Sequence, residues 1–164
     1  ALVRSRVVAG SARLGAEFEQ VRALILQQVR EPVELKAAVV EMREKMRSHL
    51  GTSAKEAENK QVFNLKQDLG GIVDIEFLVQ YKVLAEAYRY PELYEFTDNI
   101  RILDAIEKTG LLAAEDAESL REAYKAYRAA GHRLTLQDQS NVVSESDMKE
   151  CRELITRIWS SVME

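Results

Sequence analysis

Cysteine is almost missing from this 164-residue chain, as is proline: Cys151 stands alone, and Pro32 and Pro91 are the only prolines. A single cysteine cannot form an internal disulfide, and Cys151 has no histidine or cysteine at metal-ligand spacing, which fits a reducing cytosol. With two prolines and seven glycines, long stretches are free to be helical. No apolar run is long enough to span a bilayer, and no signal-peptide pattern opens the chain. Charge of one sign is missing too. Acidic residues number 27 against 23 basic ones, interspersed, for a net charge of -4. No broad basic footprint for DNA or RNA is present, so nucleic acid is not expected as a partner. Strand-period segments of useful length are also absent.

What is present is helical periodicity. Hydrophobic residues make up 46 % and charged residues 30 %, an ordinary globular balance, and the length suits one well-buried core. A short helix is expected over Ala1–Ala9, carrying Arg4 and Arg6 and broken by Gly10-Ser11. A second runs from Ala12 to about Val29, with Leu14, Phe18, Val21, Leu24, Ile25 and Val29 on one apolar face. Pro32 opens a third, running to Leu50 through Leu35, Val39, Met42 and Met46. Its Arg43, Lys45 and Arg47 read as solvated charge near a helix C-terminus. Gly51–Gln61 is polar and reads as a mobile loop.

The helix after Gly71, extending through Tyr88, is apolar on more than one face and belongs at the centre of a bundle. Thr97 or Asp98 can cap a helix over Asn99–Lys108, stopped by Gly110. A long helix follows over about Ala114–Leu136. Ser144-Glu145-Ser146-Asp147 has a cap signature and should start the last helix, through Trp159. His49 and His132 are isolated and read as structural residues. The expected fold is all-α: an elongated antiparallel bundle of about six to seven helices, forming one helical domain over residues 1–164.

One stretch concentrates chemistry. Between Asn64 and Phe77, Lys66, Gly70, Gly71, Asp74 and Glu76 crowd a loop-to-helix junction. Two readings follow. In the first, the glycines leave amide donors at a helix N-terminus beside the Lys66 ammonium, a setting for phosphate. In the second, Gly71 caps the helix and Asp74 faces the free amides of its first turn, with no ligand involved. Asp74 and Glu76 are two residues apart, point to nearly opposite sides of a helix and cannot jointly hold a metal. No metal site and no catalytic residue are expected in this chain.

The order of the pieces is more specific than any one of them: Ala1–Gly10, Glu41–Arg47, Leu65-Lys66, Gly70–Phe77, Asp98–Leu103, Tyr127-Arg128, His132 and Leu136-Gln137. Together they resemble the C-terminal end of the bifunctional glutamine synthetase adenylyltransferases, the adenylyl-removing enzymes, over essentially the whole chain. The Gly70–Phe77 core is also similar to a segment of the uridylyltransferases that act on the PII signalling protein. A glycine often found ahead of the pair is replaced here by Asp68. The resemblance implies that the chain is a piece of a longer protein, consistent with a start at Ala1 rather than methionine. A nucleotidyltransferase domain carrying the metal-binding aspartates would precede it, and no such Asp-x-Asp pattern lies in these residues. The intact enzyme would use ATP and Mg²⁺ in the cytoplasm to move AMP onto a tyrosine of glutamine synthetase, answering to PII and glutamine. This portion would support or regulate that domain and be inactive alone, with Lys66, Gly70, Gly71, Asp74 and Glu76 near the nucleotide and Arg4 and Arg6 as further candidates. The alternative is a regulatory module that binds PII or glutamine synthetase and touches no nucleotide.

Overall fold

The computed structural model describes residues 1–53 and 60–164. The expected mobile loop at Gly51–Gln61 falls mainly on 54–59, outside the described residues. Among those described, six α-helices carry the fold: α1 (Ala12–Leu26), α2 (Pro32–Leu50), α3 (Ile72–Glu86), α4 (Asn99–Lys108), α5 (Ala114–Leu136) and α6 (Lys149–Met163). The all-α expectation holds, with one small addition. Strands β1 (Val62–Asn64) and β2 (Val142–Ser144) pair antiparallel, Val62 opposite Ser144 and Asn64 opposite Val142. Three residues per strand are too few to show a period of two, so neither strand announces itself in the sequence.

The chain forms two compact units, residues 1–36 with 79–117 and residues 37–78 with 118–164. In the first, Val83, Leu93, Ile102, Leu103 and Ile106 are buried. Arg22, only 3 % exposed, donates from Nε to the Leu2 carbonyl, from Nη2 to that of Val3 and from Nη1 to that of Tyr94. It thereby corrects the helix expected over Ala1–Ala9. Only Leu2–Arg4 coils, as a 3-10 turn closed by the Ser5 amide on the Leu2 carbonyl at 3.2 Å, and the Arg22 guanidinium holds the Leu2 and Val3 carbonyls where the turn ends. The helix expected to reach Val29 ends at Leu26, where Arg30 donates to the carbonyls of Ile25 and Leu26 and satisfies the last turn. The run expected through Tyr88 likewise stops at Glu86.

The apolar face of α1 is left largely uncovered. Leu14, Val21 and Leu24 stand on the outside, as does Val29 beyond the helix end, and the buried side chains are Arg22 and Leu26. At α4 the expectation is met: the Asp98 carboxylate accepts the Arg101 amide at 3.0 Å, capping a helix whose Ile102, Leu103, Ala105 and Ile106 are buried.

In the second unit Phe63, Leu65, Ile75, Leu78, Leu120, Tyr127, Ile155 and Ile158 are buried. Helix α3, shared in sequence between the units, has no exposed residue, as its apolar composition demands. The cap expected at Ser144–Asp147 is corrected. Ser144 ends β2, the Glu145 amide donates to the Gln61 carbonyl at 2.8 Å, and α6 begins only at Lys149 without a side-chain cap. Strand pairing takes the backbone groups that the cap pattern had assigned to a helix start.

Candidate functional site at the diglycine turn

Asn64 closes β1 and folds the next residues with its own side chain. Its Oδ1 accepts the amides of Lys66 at 3.0 Å and Gln67 at 3.1 Å, an Asx-type turn. Asp68 then ties two segments together: Oδ2 accepts the Asn64 amide at 2.8 Å and Oδ1 that of Thr52 at 2.7 Å. Asp68 thus accepts two backbone amides.

Gly70 follows with φ +80, a left-handed conformation that residues with a Cβ rarely adopt. Space forbids a side chain as well, since a Cβ there would lie 2.6 Å from the Arg152 carbonyl oxygen in α6. A Cβ on Gly71 would meet the Leu65 oxygen at 2.8 Å. The turn is closed against its own neighbours.

The amides that would await an anion are in use. Gly71 donates to the Asp68 carbonyl, Ile72 to that of Leu65, Val73 to that of Lys66 and Asp74 to that of Gly71, at 2.9 to 3.2 Å. The Gly70 amide donates to Asp74 Oδ2 at 2.6 Å. The premise of the phosphate reading, open donors at the start of α3, is therefore corrected: carbonyls of the preceding loop satisfy them. Asp74 does accept an amide, as the capping account expected, but from just outside the helix.

The other oxygen of Asp74 faces a charge. Arg43 Nε donates to Oδ1 at 2.5 Å, both side chains being 1 % exposed, and Nη2 donates to the Gln67 carbonyl at 2.8 Å. Arg43 is not solvated charge on α2 but the fully buried side chain of that helix, joining it to the turn and α3. Burial pushes the Asp74 carboxyl above the usual carboxylate range, while the Arg43 charge and the Gly70 N–H pull against it. Tyr127, fully buried on α5, completes the arrangement. Its hydroxyl donates to the Gly70 carbonyl at 2.8 Å and its ring packs against Phe63 with centroids 6.1 Å apart. Desolvation, reinforced by Cys151, raises the phenol well above its ordinary value, so it stays a donor.

Of the residues nominated from sequence, Gly70, Gly71 and Asp74 meet in this buried knot. Lys66 is exposed beside it and Glu76 half-buried one turn on. Arg4 and Arg6 belong to the first unit and are exposed there. Arg43 and Tyr127 escaped sequence reasoning as site residues. A usable signal existed for Arg43: with Val39 and Met46 it recurs at four and three residues, inside an otherwise apolar stripe.

Next to the turn lies an open groove of about 790 Å³ whose lining includes Leu69, Ser146, Lys149, Arg152, Glu153 and Arg157. Arg152 pairs with Glu145 at 3.2 Å and lies over the Phe63 ring at 4.3 Å, and Lys149 pairs with Glu153 at 3.8 Å. Its charges are of both signs and partly answer each other. Among the described residues no group of three or more His, Cys, Asp or Glu could hold a metal ion, and no helix is long and apolar enough to cross a membrane.

Comparison with known proteins agrees with this geometry in extent. A family model described as GlnD PII-uridylyltransferase matches residues 40–153, which includes the whole turn and its partners Arg43 and Tyr127. The bifunctional glutamine synthetase adenylyltransferase/adenylyl-removing enzyme of Pseudomonas aeruginosa is 53 % identical over 97 % of this chain. The proteins of the same name from Nitrosococcus oceani and Acinetobacter baylyi are 48 % and 44 % identical over 100 % of it. The chain spans 17 %, 16 % and 18 % of the length of these three relatives.

Proposed function

Since the chain belongs to the GlnD PII-uridylyltransferase family and is matched end to end by glutamine synthetase adenylyltransferases, we propose that it is the helical portion of such an enzyme. The intact polypeptide transfers AMP from ATP, with Mg²⁺, to a tyrosine of glutamine synthetase in the cytoplasm. PII is a partner that regulates it. Residues 1–164 act as one helical domain that supports a nucleotidyltransferase domain carried elsewhere in the polypeptide. The observation that carries this reading is similarity over 97 % of the chain at 53 % identity to a protein of that name.

Within this function the turn is a structural joint. Moving a nucleotidyl group requires positioned divalent metal and an in-line nucleophile. The turn instead offers amides and a carboxylate already bonded within the chain. Gly70, Gly71 and Asp74 hold the turn against α2 and α6 and keep the start of α3 in place. Lys66 and Glu76 supply side chains that approach the nucleotide, and Arg4 and Arg6 are separate, second candidates for that role.

The test compares the complete polypeptide with residues 1–164 alone, each given glutamine synthetase, labelled ATP and Mg²⁺. Label should move to glutamine synthetase only with the complete polypeptide, and Lys66→Ala should lower that rate without altering thermal stability. Absence of AMP transfer by the complete polypeptide would overturn the proposal. Undiminished transfer by Lys66→Ala would remove the lysine from it.

A further inference from the structure

The apolar stripe of α1 is built like a core face and faces outward. Leu14, Phe18, Val21 and Ile25 recur at four, three and four residues, which places them on one side of a helix. Leu14 is 59 %, Val21 53 % and the neighbouring Leu24 69 % exposed. Of the large apolar side chains left exposed in the first unit, every one but Tyr88 falls between Val7 and Val33. The segment before the helix extends the same surface. Val7 lies on Gly15, whose Cβ would be 3.4 Å from the valine Cγ1, and Val7, Val8, Leu14 and Phe18 line a shallow groove of about 340 Å³. Charged residues rim it, with Arg13 and Glu17 paired at 3.4 Å in solvent. An apolar centre inside a polar rim is the anatomy of a protein interface, and grouped exposed apolar side chains mark interaction surfaces.

We infer that this face, Val7 to Val33, is the seat of the catalytic portion of the same polypeptide. The inference rests on the reading given under Proposed function and names the surface that reading needs. Relatives matched over 97 to 100 % of this chain have only 16 to 18 % of their length in the match. Most of such a polypeptide therefore lies outside these residues and must rest on something. A covalently attached domain is held at high effective concentration, so a modest apolar patch suffices to seat it. Relative to the turn, the α1 face also has what the turn lacks: groups not already satisfied within the chain.

The experiment places a photo-crosslinking amino acid singly at Val8, Val21 or Leu24 in the complete polypeptide, with Lys125, an exposed residue of the second unit, as the control position. The expected result is a monomer-sized product in which the three face positions are joined to peptides outside residues 1–164, with no such product from Lys125. A dimer-sized product would overturn the inference in favour of a second copy. Links confined to residues 1–164, no link at all, or equal linking at Lys125 would overturn it outright. AMP transfer by the unsubstituted polypeptide is measured alongside. Transfer without the expected links removes the docking face and leaves the proposed function, whereas links without transfer keep the face and remove the function.

Discussion

Arg43 on α2 and Asp74 on α3 meet at 2.5 Å with 1 % of each side chain exposed, thirty-one residues apart in sequence. Taking one partner away leaves the other charged and dry. Arg43→Ala and Asp74→Ala should each lower unfolding free energy by about 3–5 kcal/mol, while replacing both with apolar residues of similar volume should cost much less. Urea unfolding of the four proteins of this double-mutant cycle checks the coupling. Additive losses would mean the pair is incidental.

Gly70→Ala faces two penalties at once, a left-handed backbone and a Cβ 2.6 Å from the Arg152 carbonyl oxygen. Gly110 shares the positive φ, at +71, but has nothing within 4 Å of its virtual Cβ. Gly110→Ala should therefore cost only the backbone term, about 1 kcal/mol, and Gly70→Ala clearly more. Thermal denaturation of the two variants side by side separates the contributions.

Tyr127→Phe removes one hydroxyl and leaves the Gly70 carbonyl, buried with its residue, without that donor. The expected loss is about 1–3 kcal/mol, the cost of an unsatisfied buried acceptor. Because the ring and its packing on Phe63 remain, aromatic circular dichroism should hardly change. A loss of near-ultraviolet signal would point to repacking instead.

Asp98 gives a pH dependence with a definite sign. Partial burial raises its carboxyl, but the Arg101 amide, the hydrogen bond from the Arg101 guanidinium and that group's charge outweigh burial, and the net shift is downward. A carboxyl depressed by folding stabilises the fold above its unfolded value, about 3.9 for aspartate, and loses that contribution as pH falls through the folded value. The stability difference between wild type and Asp98→Ala should be full at pH 7 and shrink below about pH 4. A difference constant with pH would leave only a cap without charge.

The helices were legible because their signals are local. Asp98 before Ile102, Leu103 and Ile106, with Gly110 after, gives α4 its bounds, and the two-sided apolar character of 72–86 marks α3 as buried. The polar interior was not legible. Arg43 read as surface charge because local pattern assigns a charge to solvent, and only the tertiary fold shows carbonyls waiting for its guanidinium, as others wait for those of Arg22 and Arg30. The apolar face of α1 was legible from its spacing, but not that it stays outside the core: amphipathicity says that a face will be covered, not by what. At the turn, Gly70, Gly71 and Asp74 were found as a cluster, but their partners come from α2, α5 and α6, far along the chain.

The account turns on Asp74 serving Arg43 and the Gly70 amide rather than a nucleotide. The most direct measurement is the KM for ATP and the melting temperature of the complete polypeptide carrying Asp74→Asn, beside Arg43→Ala. Both variants should melt earlier, and the protein that remains folded should keep its KM for ATP. An Asp74→Asn protein that melts like wild type but binds ATP far more weakly would contradict it.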